Sequence, residues 1–312
     1  MVDGVKKKPL ILRQKPMFDV LYSLLPICIA SVYFFGWRSL VVLLVVNLFG
    51  FLTEYFYLRT YKESVSSAIF VTNTLFALIL PPTIPLWMAA VGIIFGVLFG
   101  KMVFGGFGRN IFNPALVGRV FLYINFGVAM TGVNAWREPV NSFTVYVSDA
   151  ITSATPMKVM TQSNSVAVKD LLLGSTAGCL GETSALLIIL AGIFLIWRKV
   201  ANYRIILGGL LAAVSMQSGL NFFNVTNAVD PLSAVLSGGF MFGLIFMATD
   251  PVSAAQTDKG RWIYGAFIGI VTVLIRTFSV WPEGIMFAIL LGNMFAPIVD
   301  YALKKKKTVK AV

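Results

Sequence analysis

The chain has no histidine and only two cysteines among its 312 residues. Histidine-ligated haem is therefore excluded, as are most zinc and copper sites. Two thiols, Cys28 and Cys179, fall short of the four that an iron–sulfur cluster needs. Charge is scarce as well, at 12% of residues. A soluble domain carries about a quarter. Neither a P-loop pattern nor a Ser-His-Asp set is present, so no catalytic residue and no metal ligand is expected. If such a chain handles electrons, an organic cofactor must carry them.

What it has in abundance is apolar sequence: 58% of residues are hydrophobic, and mean hydropathy is +0.84. The apolar residues come in runs of roughly 20, about the length a helix needs to cross a bilayer. Ten runs are expected as spans: 20–37, 39–58, 66–81, 86–104, 112–132, 183–198, 204–223, 231–249, 261–279 and 284–301. "WRS" at 37–39 splits the first apolar region, and "PPTIP" at 81–85 makes a turn. The basic start "MVDGVKKKPLILRQKPMF" is followed by a full-length apolar stretch, so no removable signal peptide is expected.

The polar interval 133–182 divides the runs into five and five. An odd number of crossings flips the second half, which suggests two inverted repeats. The expected fold is an all-α polytopic membrane protein of two five-helix halves with broken helices. Its segments are a basic N-terminus (1–19), a first half (20–132), an external loop (133–182), a second half (183–303) and a Lys-rich tail (304–312).

Basic residues give the orientation. With both termini cytoplasmic, the inner segments hold 19 of the 25 Lys and Arg residues. The outer segments hold Arg38, Arg137, Lys158 and Lys169, while Arg119 and Arg276 lie within spans. The net charge of +12 is then a collar facing anionic lipid rather than a nucleic-acid surface. The expected location is a bacterial or archaeal cytoplasmic membrane.

Charges inside apolar runs mark sites or pathways, because they are costly at bilayer depth. Glu54 and Asp300 fall near the inner interface, where a solvated helix end is an equal alternative. Asp250 is followed by Pro251, which interrupts a helix, and by the small, polar "VSAAQTD". Residues 249–258 are expected to be a broken helix lining a cavity, shielded from lipid. Asn113-Pro114, after "FGGFGRN", reads as the first-half counterpart. Asp250, Asn113, Arg119 and Arg276 are the candidates for an ion path or cavity, with Arg119 and Arg276 as possible partners of Asp250.

Four motifs in order carry a resemblance: "NPALVGRVF", "DAITSATP", "LGETSALL" and "FMATDPVSAAQTDKGRWIYG", the last continued by "LIRTFSVWPEGIMFAILLGNMFAPIVDY". The chain resembles, from about residue 18 to 303, the family that joins the RnfD subunit of the Rnf complex with the NqrB subunit of the Na+-translocating NADH:quinone reductase. In that family D-x-x-[ST]-[SG]-A-T is the acceptor for a flavin transferase, which couples FMN to the final Thr through its phosphate.

The resemblance implies covalent FMN at Thr155. Asp149 and Ser153 would serve transferase recognition and contacts near the flavin. Glu182 would touch the cofactor pocket or act at a helix N-terminus. A Thr hydroxyl can form a phosphoester, and Lys158 or Arg137 can offset its charge. Pro156 should hold Thr155 in an extended, exposed backbone. An ordinary hydroxyl-rich loop is the alternative.

Members on the quinone-reductase side also hold a noncovalent riboflavin, to which the sequence assigns no residue. The short N-terminus favours the Rnf branch, in which electrons pass between ferredoxin and NAD, coupled to Na+ or H+. The chain would be one membrane relay among other membrane and peripheral subunits, without a complete activity of its own. "WPEG" and "TDPVSAAQTDKGRWIYG" stand at least as close to the quinone-reductase branch. A urea- or ammonium-channel-like transporter is the rival of another class, since fold is not function. A flavin acceptor has no use in such a channel.

Overall fold

A computed structural model describes residues 9–146, 154–161, 166–182, 184–279, 281 and 283–309. It is predominantly helical. In chain order the helices are α1 (Lys15–Phe35), α2 (Arg38–Thr60), α3 (Ala68–Leu78), α4 (Leu86–Val97, continuing as a π-turn Leu98–Met102), α5 (Pro114–Asn125) and α6 (Gly127–Thr131). They continue as α7 (Pro156–Thr161), α8 (Val168–Leu173), α9 (Ala185–Trp197), α10 (Tyr203–Phe222), α11 (Pro231–Leu236), α12 (Phe240–Phe242, continuing as a π-turn Gly243–Met247), α13 (Asp258–Phe278) and α14 (Gly284–Val309). Two short parallel strands, β1 (Ile11–Leu12) and β2 (Val65–Ser66), pin the N-terminal segment to the start of α3.

Every expected apolar run contains helix, but among the described residues five helices are long and apolar enough to cross a bilayer: α1, α2, α10, α13 and residues 284–304 of α14. The arrangement is that of a polytopic membrane protein. The others are shorter than the runs suggested. The run 66–81 yields an 11-residue helix, because Pro81-Pro82 ends it. At 1.5 Å per residue that is about 16 Å, short of a hydrocarbon core of about 30 Å. The run 231–249 breaks at Ser237-Gly238-Gly239, where both glycines have positive φ, +61° and +68°. The run 112–132 breaks at Phe126.

Small residues let the helices approach. A Cβ on Gly265 would lie 2.3 Å from the Ile205 carbonyl oxygen, and one on Gly269 2.3 Å from that of Gly209. Helix α13 thus lies backbone-to-backbone on α10, the close packing expected where lipid supplies no hydrophobic drive between helices. Outward faces are apolar: Leu44, Ile193, Leu211 and Ile298 are exposed. The residue that splits the first apolar region has a structural task. Arg38 donates to the carbonyls of Pro82 (3.0 Å), Thr83 (3.2 Å) and Ile84 (2.6 Å), locking the "PPTIP" turn, and also binds the Tyr146 hydroxyl.

Candidate functional site

Two cavities occupy opposite ends of α5. The larger, about 590 Å³, is lined by Thr155 and Lys158 of the polar interval, by Tyr123 and Trp136, and by Arg276, Trp281 and Glu283. Its size falls within the range of sites for drug-sized ligands. Thr155 is not the exposed residue expected. It is half-buried and leads directly into α7, its carbonyl accepting from Val159 N–H at 3.1 Å. Pro156 opens α7, since its fixed φ suits the first position of a helix. Asp149 and Ser153 lie outside the described residues.

Behind the cavity is a buried charge cluster. Arg119, on α5, is 3% exposed. Its Nη1 donates to Glu182 Oε1 at 3.2 Å, and its Nη2 donates to both Glu283 Oε2 and the Cys179 sulfur, the latter at 3.3 Å. Two carboxylates thus share one guanidinium, and both line the cavity. Glu283 lies between α13 and α14, and burial pushes its carboxyl up to about 7; Arg119 opposes the shift and Glu182 adds to it. Glu182 therefore does not cap a helix. Ser184 caps α9, its hydroxyl accepting from Leu187 N–H at 3.4 Å.

Arg276 is held differently. Its guanidinium donates to the carbonyls of Ala234 (2.7 Å), Ser237 (3.2 Å) and Gly238 (2.5 Å), at the end of α11, and lies 5.7 Å from the Phe240 ring centre. The Gly238-Gly239 turn accommodates both sides of the cluster. It aims carbonyls at Arg276, and a Cβ on Gly239 would come within 2.3 Å of Glu182 Oε1. Neither Arg119 nor Arg276 is a partner of Asp250, contrary to expectation: carboxylates hold the first and backbone oxygens the second.

Asp250 lines the smaller cavity, about 70 Å³, together with Asn113 and Lys101. Its oxygens accept from Val252 N–H at 3.0 Å and the Ser253 hydroxyl at 3.1 Å. The two chain breaks do meet. Asn113 caps α5, and its side-chain amide donates to the Met247 carbonyl at 3.5 Å. Asn293 bridges them, accepting from Asn113 N–H at 3.2 Å and donating to the Ser253 carbonyl at 3.2 Å and to Tyr264 Oη at 2.8 Å.

Glu54 and Asp300 are not solvated helix ends. Glu54 is 1% exposed, pairs with Lys101 at 2.6 Å and accepts from Ser66 N–H at 3.2 Å. Asp300 accepts from Gln256 and Thr257 N–H at 2.6 and 2.9 Å.

The larger cavity suits a flavin. Tyr123, Trp136 and Trp281 offer aromatic faces, and two of its wall residues carry buried polar atoms, Tyr123 Oη and Arg276 Nε, with no partner among the described residues. Such orphans are costly in a finished core and point to a missing ligand group or ordered water. The residues not foreseen from sequence are Glu283, Tyr123, Trp136 and the Gly238-Gly239 turn. The signal for Glu283 was present: a carboxylate in "WPEG", directly before an apolar run.

The model of the NQR2, RnfD, RnfE family matches residues 10–309. The NqrB subunit of the Na+-translocating NADH-quinone reductase of Ectopseudomonas mendocina (strain ymp) is 43% identical over 247 residues, covering 77% of this chain and 60% of that protein. Its counterpart in Neisseria meningitidis serogroup A is 40% identical over 263 residues, covering 82% and 64%. That in Yersinia pestis is 38% identical over 295 residues, covering 86% and 69%. The chain spans about three fifths of the length of most of these relatives.

Proposed function

Since the chain belongs to the NQR2, RnfD, RnfE family, we propose that it is a flavin-bearing electron-relay subunit of a redox-driven, ion-translocating membrane complex. The observation that carries this reading is the 590 Å³ cavity with Thr155 on its wall. FMN would be joined by its phosphate to Thr155 Oγ1, after the action of a flavin transferase on the 149–155 segment, with Asp149 and Ser153 in the recognised sequence. When bound, FMN accepts and releases one or two electrons.

The chain's own residues have separable tasks. Lys158 supplies positive charge near the phosphoester. Tyr123, Trp136 and Trp281 present apolar and aromatic surface to a planar ring system. Arg276 stiffens the end of α11, and Arg119 holds Glu182 and Glu283 at the cavity's inner wall. Asp250 and Asn113 belong to the second, smaller cavity, which would serve ion movement; at about 70 Å³ it is too small for the second flavin that was the other expectation. Ten membrane passages in two inverted halves, both termini cytoplasmic and Thr155 external, complete the reading; the 19-to-4 split of basic residues supports it.

Within the family, two complexes fit. The Rnf reading makes the chain a relay between ferredoxin and NAD. The second reading, the NqrB subunit of a Na+-translocating NADH:quinone reductase, is favoured by the names of the similar proteins. Reduction of the assembled complex by NADH with ubiquinone, or by ferredoxin, tells the two apart.

Visible absorbance of the purified chain tests the shared claim. A flavin spectrum that stays with the protein after denaturation is expected; a colourless chain from a host with active flavin transferase would leave a channel or scaffold reading.

A further inference from the structure

The large cavity's inner wall places two carboxylates on one guanidinium. Arg119 meets Glu182 through Nη1 and Glu283 through Nη2. Among the described residues, the titratable and charged groups facing Glu283 are few. They are Arg119 and Tyr123 from α5, Cys179 and Glu182 from the turn before α9, and Arg276 from α13. Lys158 lines the same cavity from α7.

Arg276 is the other buried cation of this group, and it donates to neither acid. Its three hydrogen bonds go to backbone carbonyls. Both carboxylates are about 90% buried yet open onto the cavity. Two buried acids sharing one partner make it costly to keep both ionised, which favours proton uptake at one of them. Glu182 is braced against the backbone of Gly239, whereas Glu283 sits at a chain turn directly on the cavity. Any added negative charge in this low-dielectric space strengthens proton retention.

We propose that Glu283 is the cavity's redox-linked proton site. The proposal rests on the reading that a flavin occupies this cavity. A one-electron donor in a partner subunit would be oxidised by one electron, and a flavin held in the cavity would be reduced by one. A water-derived proton arriving through the cavity forms an O–H bond at the Glu283 carboxylate, while Arg119 stays paired with Glu182. When the electron leaves, that O–H bond breaks and the proton returns to water. Charge in the buried space is unchanged across the cycle, so electron entry does not bury an isolated charge. The burial that raises the Glu283 carboxyl to about 7 sets this exchange near neutral pH.

Redox-difference infrared spectroscopy of the assembled, unaltered complex is the first test. A protonated-carboxyl C=O band that appears on reduction and shifts in D2O is expected. Glu283→Gln should remove that band, and Glu182→Gln should leave it. The second readout is the flavin's midpoint potential against pH from 6 to 8. One proton per electron changes the equilibrium tenfold per pH unit, about 59 mV. The slope should be smaller in Glu283→Gln than in the unaltered complex. No carboxyl band in the unaltered complex, or a band and slope that persist in Glu283→Gln, would overturn the assignment. Should Glu283→Gln fail to assemble, Glu283→Asp is the second variant: it keeps a carboxyl and should shift the band's frequency, and an unshifted band would overturn the assignment. Failure of the underlying reading looks different: no flavin fluorescence would remain on the denatured chain.

Discussion

The two ends of α5 are built on opposite rules. At its start, Asn113, Asn293, Lys101, Glu54 and Asp250 all find partners within the fold, at or near a cavity of only about 70 Å³. About 15 Å along the helix, near Tyr123, one guanidinium serves two carboxylates and a thiol beside about 590 Å³ of space. Polar atoms on that wall lack partners among the described residues. The first end is complete as a piece of folded protein, and its polar residues tie the two chain breaks together. The second makes sense when something else is present. The polar residues of this protein are thus not one class: at one end they satisfy one another, and at the other some atoms have no partner among the described residues.

Removing one charge at either end should cost most. Arg119→Met strands two buried carboxylates, and Lys101→Met strands one, Glu54. Each should destabilise by about 3–5 kcal/mol, since an uncompensated buried charge is left behind. Thermal unfolding in detergent measures both. The comparison sharpens with second changes. Glu54→Gln should rescue most of the loss in Lys101→Met, because Lys101 has one carboxylate as its direct partner. Glu283→Gln alone should rescue Arg119→Met only in part, because Glu182 remains.

Next in size is the pH response of the open end. The folded-state carboxyl of Glu283 is raised, so it contributes stability that is full below its unfolded value near 4.5 and lost as pH rises through about 7. From pH 5 to 8 the chain should lose about 2–3 kcal/mol relative to Glu283→Gln. Equal pH profiles for the two proteins would contradict this.

Smaller still is Gly239→Ala, at about 1–2 kcal/mol. Its φ of +68° disfavours any side chain, and the new Cβ meets Glu182. The loss should be confined to the open end, visible as weaker flavin retention without loss of the α10–α13 packing.

The smallest change belongs to the satisfied end. Asp250→Asn keeps an acceptor for Val252 N–H, and the Ser253 hydroxyl can turn to accept, so stability should fall by less than about 0.5 kcal/mol. If the carboxylate serves ion movement, ion uptake per electron in proteoliposomes should drop while covalent flavin stays. Unchanged uptake would leave Asp250 a local cap.

The helical plan is legible in the sequence because apolar runs, Pro81-Pro82 and Asp250-Pro251 each speak locally. The true helix lengths are not. Where the third run stops depends on Pro81, but the break at Gly238-Gly239 depends on Arg276, 38 residues beyond Gly238, donating to its carbonyl. Buried charges are recognisable as costly, yet their pairings are not. Arg119 and Asp250 look like partners because both lie in apolar runs, whereas the fold brings Arg119 to Glu182 and Glu283, 63 and 164 residues distant. Thr155 stands out in the sequence through a hydroxyl-rich motif, and its chemistry is a proposal. Its half-buried position at the start of α7 is not legible there, because it depends on the cavity formed by α5, α13 and the segment before α14.

Attachment of a flavin to Thr155 is the proposal on which the reading of the open end turns. It is tested most directly by ultraviolet fluorescence of the denatured chain on a gel, produced with active flavin transferase, for the unaltered protein and for Thr155→Val. A fluorescent band is expected for the unaltered chain and none for Thr155→Val at equal protein load. Fluorescence that survives in Thr155→Val, or a dark unaltered chain, would contradict that proposal.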